Sequence, residues 1–262
     1  MSVNSPEIIA LDFDGVICNG LQEYFQSSLR TYQQIWPQTT ASSLTSLAEQ
    51  FYQLRPVVEL GWEMPILLRA LVLGIDPSLI LQDWPTIGEE ILAKENLDKQ
   101  TVIAQLDEVR DHWIREDLAG WLALHQFYPG VITRLQQILA SSTQLYIVTT
   151  KEGRFVRQLL QQQGLDIPKS AIIGKEIKRP KAETLREILN VNNTVSAALW
   201  FVEDLLKTLR SVQKQSDLEG IELFLADWGY NTPQTRESIV SDSRIRLLSL
   251  AEFSQDFQHW IA

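Results

Sequence analysis

Ile8-Ile9-Ala10-Leu11-Asp12-Phe13-Asp14-Gly15-Val16 is the stretch from which the rest of the chain can be read. Four apolar residues with no polar alternation predict a strand buried on both faces, the pattern of parallel sheets. They run directly into two acids separated by one aromatic residue. Carboxylates are costly to bury, so a pair of them at a strand end needs a chemical reason. Open parallel sheets hold their ligand chemistry just outside the carboxyl ends of the strands, where Asp12 and Asp14 fall. Gly15 then lets the backbone turn sharply away. The plain alternative is a strand closed by an Asp-Gly turn, and the remaining sequence has to decide between them.

Outward from this stretch the chain changes character twice. From Val16 to about Phe127 the apolar residues recur at helical spacing and no strand is expected. The stripes are Leu21 to Trp36, Leu44 to Val58 with Pro56 inside, Pro65 to Leu73, and Asp98 to Leu122. Tyr128-Pro129-Gly130 punctuates the chain, and strands then alternate with helices. Strands are expected at Leu145–Val148, Ala171–Ile173, Ala197–Val202 and Ile221–Ala226, with Ile245–Leu248 as an edge strand. Helices are expected between them. This alternation implies right-handed crossovers and a parallel α/β sheet split in sequence, its first strand preceding an all-helical insertion.

Composition narrows the function classes. The 262 residues are 45% hydrophobic and 21% charged, which suits a globular protein with a sizeable core. A net charge of −10 argues against a nucleic-acid or anionic-membrane partner, since such surfaces need clustered Lys and Arg. No apolar run reaches membrane-spanning length. The first seven residues have neither a basic region nor a signal core, and the single cysteine, Cys18, cannot form an internal disulfide. A cytoplasmic location is the expectation.

Three strand ends carry polar groups out of place in a plain core: Asp12/Asp14, Thr149/Thr150 and Glu203/Asp204. On neighbouring strands these ends open onto one crevice. Carboxylates from two strands repel in a partly desolvated site, and a divalent cation relieves this. Oxygen-only ligands suit Mg²⁺ better than zinc, and none of the three histidines, His112, His125 and His259, lies in this pattern. A carboxylate beside a metal can act as a nucleophile, with a second acid protonating the leaving oxygen and later activating water. Thr149 and nearby N–H groups could hold phosphoryl oxygens. The cation needed to balance them could come from Lys178-Arg179-Pro180-Lys181, which otherwise reads as a solvated basic turn at a helix start.

These pieces, in this order, resemble the haloacid dehalogenase superfamily of aspartate-nucleophile phosphohydrolases. Leu11-Asp12-Phe13-Asp14-Gly15-Val16 matches its first motif and Ile147-Val148-Thr149 the second. A lysine before a helix is the third, and Val202-Glu203-Asp204 the fourth. Leu225-Ala226-Asp227-Trp228-Gly229-Tyr230 looks like the Trp-Gly-Tyr stretch of the phosphoglycolate-phosphatase-like branch. The resemblance implies a Rossmann-like parallel sheet with helices on both faces, formed by residues 1–15 and 128–262. Residues 16–127 would be a helical cap. It also implies a Mg²⁺-dependent phosphomonoester hydrolase acting on a small phosphorylated metabolite through an aspartyl-phosphate. Asp12 would be the nucleophile, Asp14 the general acid/base, and Thr149 and Thr150 the phosphate ligands. Asp12, Asp14 (through its carbonyl), Asp204 and Glu203 would hold the metal. Lys181 opens a helix and is the expected catalytic-site lysine, with Lys178 as the alternate.

Two departures keep other readings open. The lysine signature is irregular, and Thr208 stands where the family often has another acid. A phosphomutase of the same superfamily retains both first-motif acids, and a binding or regulatory module could keep the fold without catalysis. True dehalogenases lack the second acid, so Asp14 favours a phosphatase over them. In the insertion, Asn19, Arg55, Glu59, Arg69 and Arg115 are polar candidates for substrate contact against the alternative of a solvated helix face, with Arg55 first.

Overall fold

The computed structural model describes residues 5–39 and 41–261; the leader-free reading of the first seven residues falls partly on Met1–Asn4, outside them. The chain divides into two compact units. One comprises the described residues up to Asn19 and from Gln126 onward, and the other is Gly20–His125.

The first unit is built on a six-stranded sheet. Its strands are β1 (Ile8–Leu11), β4 (Gln144–Val148), β5 (Ile172–Ile173), β6 (Leu199–Glu203), β7 (Glu222–Ala226) and β8 (Ile245–Leu248). Their order is β5-β4-β1-β6-β7-β8 and every pairing is parallel. All four residues of β1 are buried, as its unbroken apolar run requires. The period-2 alternation of strand side chains supplies two cores. Ile8, Ala10, Phe201, Leu223 and Leu225 face the helices Lys181–Val191 and Leu206–Gln213. Trp200 and Phe224, from β6 and β7, pack instead with Phe257 and Trp260, ring centroids 5.3–5.9 Å apart. Three of the eight tryptophans (Trp200, Trp228 and Trp260) serve packing in this unit.

A second, two-stranded sheet pairs β2 (Cys18–Asn19) with β3 (Gln126–Phe127), antiparallel, Cys18 opposite Phe127 and Asn19 opposite Gln126. The sequence reading expects no strand between Val16 and Phe127. Runs of two residues are too short for a periodicity to register.

Gly20–His125 is helical throughout its described elements. The stripe Leu44 to Val58 breaks into Ala41–Thr45, Ala48–Leu54 and a 3₁₀ turn at Arg55–Val57, and the one from Asp98 ends at Glu116, with Asp117 capping a short Leu118–Leu122 helix. Pro77–Lys94 is a helix the sequence reading leaves out. Asp76 caps it and Pro77 opens it, but Pro85 interrupts the pattern and the backbone leaves helical geometry at Asp83. A buried carboxylate anchors this unit: Glu23 is 1% exposed and accepts hydrogen bonds from Arg110 Nε (2.9 Å), Trp121 Nε1 (3.2 Å) and the Ser27 hydroxyl (2.5 Å). Among the described residues no helix is long and apolar enough to cross a membrane.

The turn into β8 carries its own pH dependence. Partial burial pushes the Asp242 carboxyl up, but the N–H groups of Arg244 and Ile245, the Gln213 amide and Arg210 outweigh it and hold its pKa below the usual range. A depressed carboxylate stabilises the fold above its unfolded pKa, and that contribution disappears as pH falls through the folded value. Asp242→Asn is therefore expected to flatten the acid limb of a stability–pH curve, measured by urea unfolding between pH 6 and 3.

Candidate active site

Register explains why the predicted residues meet. Leu11 pairs with Ile147 on one side and Val202 on the other, so Asp12 lies level with Val148 and Glu203, and Thr149 and Asp204 follow one residue further. Asp12 donates its N–H to the Val202 carbonyl (2.9 Å), continuing the ladder to the strand's last possible residue. Its Oδ1 accepts from Phe13 N–H (2.7 Å), which fixes the carboxylate at the edge. Gly15, at φ +89°, turns the chain back, and Gly15 N–H bonds the Cys18 carbonyl.

The carboxylates of Asp12, Glu203 and Asp204 each offer an oxygen within 4.8 Å of the others, and all three residues are buried. Lys181, the first residue of its helix, reaches into this group, its Nζ 2.9 Å from Asp12 Oδ1 and 2.7 Å from Glu203 Oε2. Three carboxylates crowd together in a desolvated place, with the Lys181 ammonium between two of them. Burial and the neighbouring Glu203 push the Asp12 carboxyl up to about 7 despite the pull of Lys181, and burial likewise raises Glu203. Lys181 is raised as well: burial alone would lower its pKa, but Asp12 and Glu203 together hold it above the ordinary lysine value. The crowding of buried carboxylates and the all-oxygen donor set fit a divalent cation of the hard, oxygen-seeking kind.

Asp204 is also held by the loop after β7. Tyr230 N–H donates to Asp204 Oδ2 (2.7 Å), and the Asn231 amide donates to the Asp204 carbonyl (3.0 Å). Gly229 lies so close to Asp204 that a Cβ there would overlap the Asp204 side chain and come within 2.7 Å of the Gly15 carbonyl oxygen. Trp228 Nε1 donates to the Val16 carbonyl (3.1 Å), tying this loop to the turn that follows Asp14.

The remaining candidates separate. Asp14 Oδ2 lies 3.3 Å from Lys151 Nζ, while its Oδ1 is buried with no hydrogen-bond partner among the described residues. Thr149 is buried and its hydroxyl accepts from Lys151 N–H (3.1 Å); Thr150 is exposed. Lys178 is exposed in a left-handed turn (φ 51°), so the lysine among the carboxylates is Lys181. Asn19 accepts from the Tyr230 hydroxyl (3.3 Å). Within the helical unit, Arg55 donates to the Val58 carbonyl (2.8 Å) and stacks 4.9 Å over Tyr24. Arg69 is taken up by Glu95 (2.6 Å) and the Tyr32 hydroxyl, whereas Glu59 and Arg115 are exposed.

Sequence reasoning passes over Lys151 and Asn231. Lys151 follows the two threonines at a strand end, so the edge position that singles them out applied to it equally. Asn231 has no such signal, because its importance lies in two backbone carbonyls it reaches across the loop.

The profile of the haloacid dehalogenase-like hydrolases matches residues 86–216, half of the chain. This protein is a haloacid dehalogenase-like hydrolase. The matched stretch takes in Thr149, Lys181, Glu203 and Asp204 and leaves Asp12 and Asp14 to the geometry above. A phosphoglycolate phosphatase from Aliivibrio fischeri is 23% identical over 176 residues, spanning 64% of this chain and 74% of that protein. Among solved structures, a haloacid dehalogenase-like family hydrolase from Streptococcus pneumoniae superposes with a TM-score of 0.57 at 15% identity, over 94% of this chain and 95% of the other. A protein described as a predicted phosphatase from Clostridium acetobutylicum gives 0.58 at 14% identity, over 95% and 97%. At these identities the structural likeness speaks to the fold.

Proposed function

We propose that this haloacid dehalogenase-like phosphatase hydrolyses a small phosphate monoester through a phosphorylated Asp12, with Mg²⁺ bound by Asp12, Glu203, Asp204 and the Asp14 carbonyl. The observation that carries the reading is the cluster of three buried carboxylates at one sheet edge, with Lys181 between Asp12 and Glu203. Bound there, Mg²⁺ would supply positive charge to offset that of the carboxylates and of the phosphoryl group.

The chain's own groups account for the proton and bond changes. An Asp12 carboxylate oxygen attacks phosphorus, and the bond from phosphorus to the ester oxygen breaks. Asp14, whose Oδ1 is buried without a partner among the described residues, gives its proton to the departing alkoxide. Water then attacks the aspartyl-phosphate, Asp14 takes a proton from it, and Asp12 is regenerated with release of inorganic phosphate. Lys181 holds Asp12 in one orientation and shields its charge from Glu203. The Thr149 hydroxyl and the Thr150 backbone are the phosphate donors in this scheme. Lys178 and Arg55 are the outlying candidates for the rest of the substrate, and the helical unit is the cap. The Aliivibrio fischeri relative supports a small, anionic, phosphorylated metabolite as substrate, and a cytoplasmic location goes with a chain whose one cysteine, Cys18, is buried as a free thiol.

The test is phosphate release from phosphoglycolate, sugar phosphates, nucleotides and p-nitrophenyl phosphate, with Mg²⁺ and with EDTA. Release that needs Mg²⁺ and disappears in Asp12→Asn supports the phosphatase. A folded, Mg²⁺-binding protein that releases no phosphate from any ester overturns it.

A further inference from the structure

The support of Asp204 does not end at the loop that touches it. Asn231 is buried, and its Nδ2 donates to both the Asp204 carbonyl (3.0 Å) and the Ala226 carbonyl (2.8 Å). Its Oδ1 accepts from Arg236 Nη1 (3.0 Å), which also donates to the Asn231 carbonyl (3.0 Å) and the Asp227 carbonyl (3.3 Å). The amide's orientation is thus determined from both ends, because a guanidinium only donates and a carbonyl only accepts. Arg236 sits on the short helix Pro233–Glu237, is partly exposed, and is separated from the carboxylate cluster by Asn231.

We propose that Arg236 is a positioning residue for the cation site: it locks Asn231, which locks the main chain of Asp204 and so sets the spacing of Asp204 against Asp12 and Glu203. This rests on reading that cluster as the Mg²⁺ site. Without Arg236, acceptors on Asn231 and Asp227 lose their donor, the Asn231 amide is held from one end only, and the brace on the Asp204 carbonyl loosens. Partners one step behind a metal ligand typically change affinity by 10–100-fold when removed. The sign of the effect separates positioning from simple charge. Deleting a positive residue near a cation site should, by Coulomb interaction alone, tighten cation binding. Loss of a brace weakens it.

The experiment is Mg²⁺ titration by calorimetry of the full chain without substrate, for wild type, Arg236→Met, Arg236→Lys and Asp204→Asn, with thermal melts in EDTA alongside. Arg236→Met is expected to weaken Mg²⁺ binding about tenfold while still unfolding in EDTA in one cooperative transition, at a somewhat lower temperature than wild type, and Arg236→Lys, with donors to offer, to regain most of the loss. Equal or tighter binding by Arg236→Met, with Asp204→Asn defective, overturns the brace and leaves the site intact. Failure of wild type to bind Mg²⁺, or normal binding by Asp204→Asn, overturns the underlying reading instead. If Arg236→Met does not fold, Arg236→Gln takes its place with the same two outcomes.

Discussion

Asp12→Asn is expected to lower phosphate release by at least about 10⁴-fold, the scale seen when a nucleophile is removed from a residue set that acts as a unit. The same substitution should make the metal-free protein more stable. Asp12 has its carboxyl pushed from 3.8 up to about 7, chiefly by burial and by Glu203. Between those values the folded state binds a proton that the unfolded state has released, so stability falls as pH rises from about 4 to 7 and stays reduced above it. Asn is uncharged and nearly isosteric, and Lys181 retains Glu203 as its partner. In EDTA at pH 8 the variant should melt higher than wild type, on the order of 5 °C for a chain of this size. Added Mg²⁺ should then raise wild type past the variant, because only wild type keeps the full donor set. Calorimetric melts of both proteins, with and without Mg²⁺, check the reversal. A lower melting temperature for the variant in EDTA would mean that Asp12 is paid for by Lys181 alone.

Gly15→Ala is the second large effect, and it acts without removing any functional group. Gly15 has φ +89°, a backbone region that alanine enters only with strain. Its added Cβ would also lie 2.5 Å from Asp204 Cγ and closer still to Oδ2, the oxygen that Tyr230 N–H holds. Asp204 cannot retreat, since Gly229 packs against its other side with no room for a Cβ there either. The variant must displace the turn after Asp14, or Asp204, or both. An error of about 1 Å in such a site costs on the order of 10²-fold, and either displacement also disturbs the proposed cation site. We expect turnover to drop by roughly 10³-fold, with Mg²⁺ affinity falling in parallel. Steady-state kinetics and Mg²⁺ titration of Gly15→Ala measure both; turnover within a factor of ten of wild type would show that the turn can relax.

How much of this was legible beforehand depended on the length scale of the signal. The buried strand at Ile8–Leu11 and the polar strand ends are local patterns with strong physical constraints, and the acids they carry do meet at one edge of the sheet. The choice of Lys181 over Lys178 followed from its place at a helix start, and the structure puts it between Asp12 and Glu203. What escaped was either too short or too distant in sequence. The ribbon of β2 and β3 has two residues a side. The helix Pro77–Lys94 is obscured by Pro85 within it. The partnership of Asn231 with Asp204 spans 27 positions and involves a main-chain carbonyl, which no residue type encodes.

That ribbon has a consequence for how such a chain can change. The helical unit begins at Gly20 and ends at His125, and the residues just outside it, Asn19 and Gln126, lie opposite one another. Topologically, the 106 residues between them form one oversized hairpin loop. Two residues of Asn-Gly type are enough to close a hairpin whose ends are paired in this way. Among the described residues no strand of the six-stranded sheet comes from within the loop, so the pairing of β1 with β4 and β6 uses no residue of it. Replacement or lengthening of that segment is expected to leave the acidic strand ends in register. Evolutionary drift, and any recombination aimed at new substrates, is least constrained there.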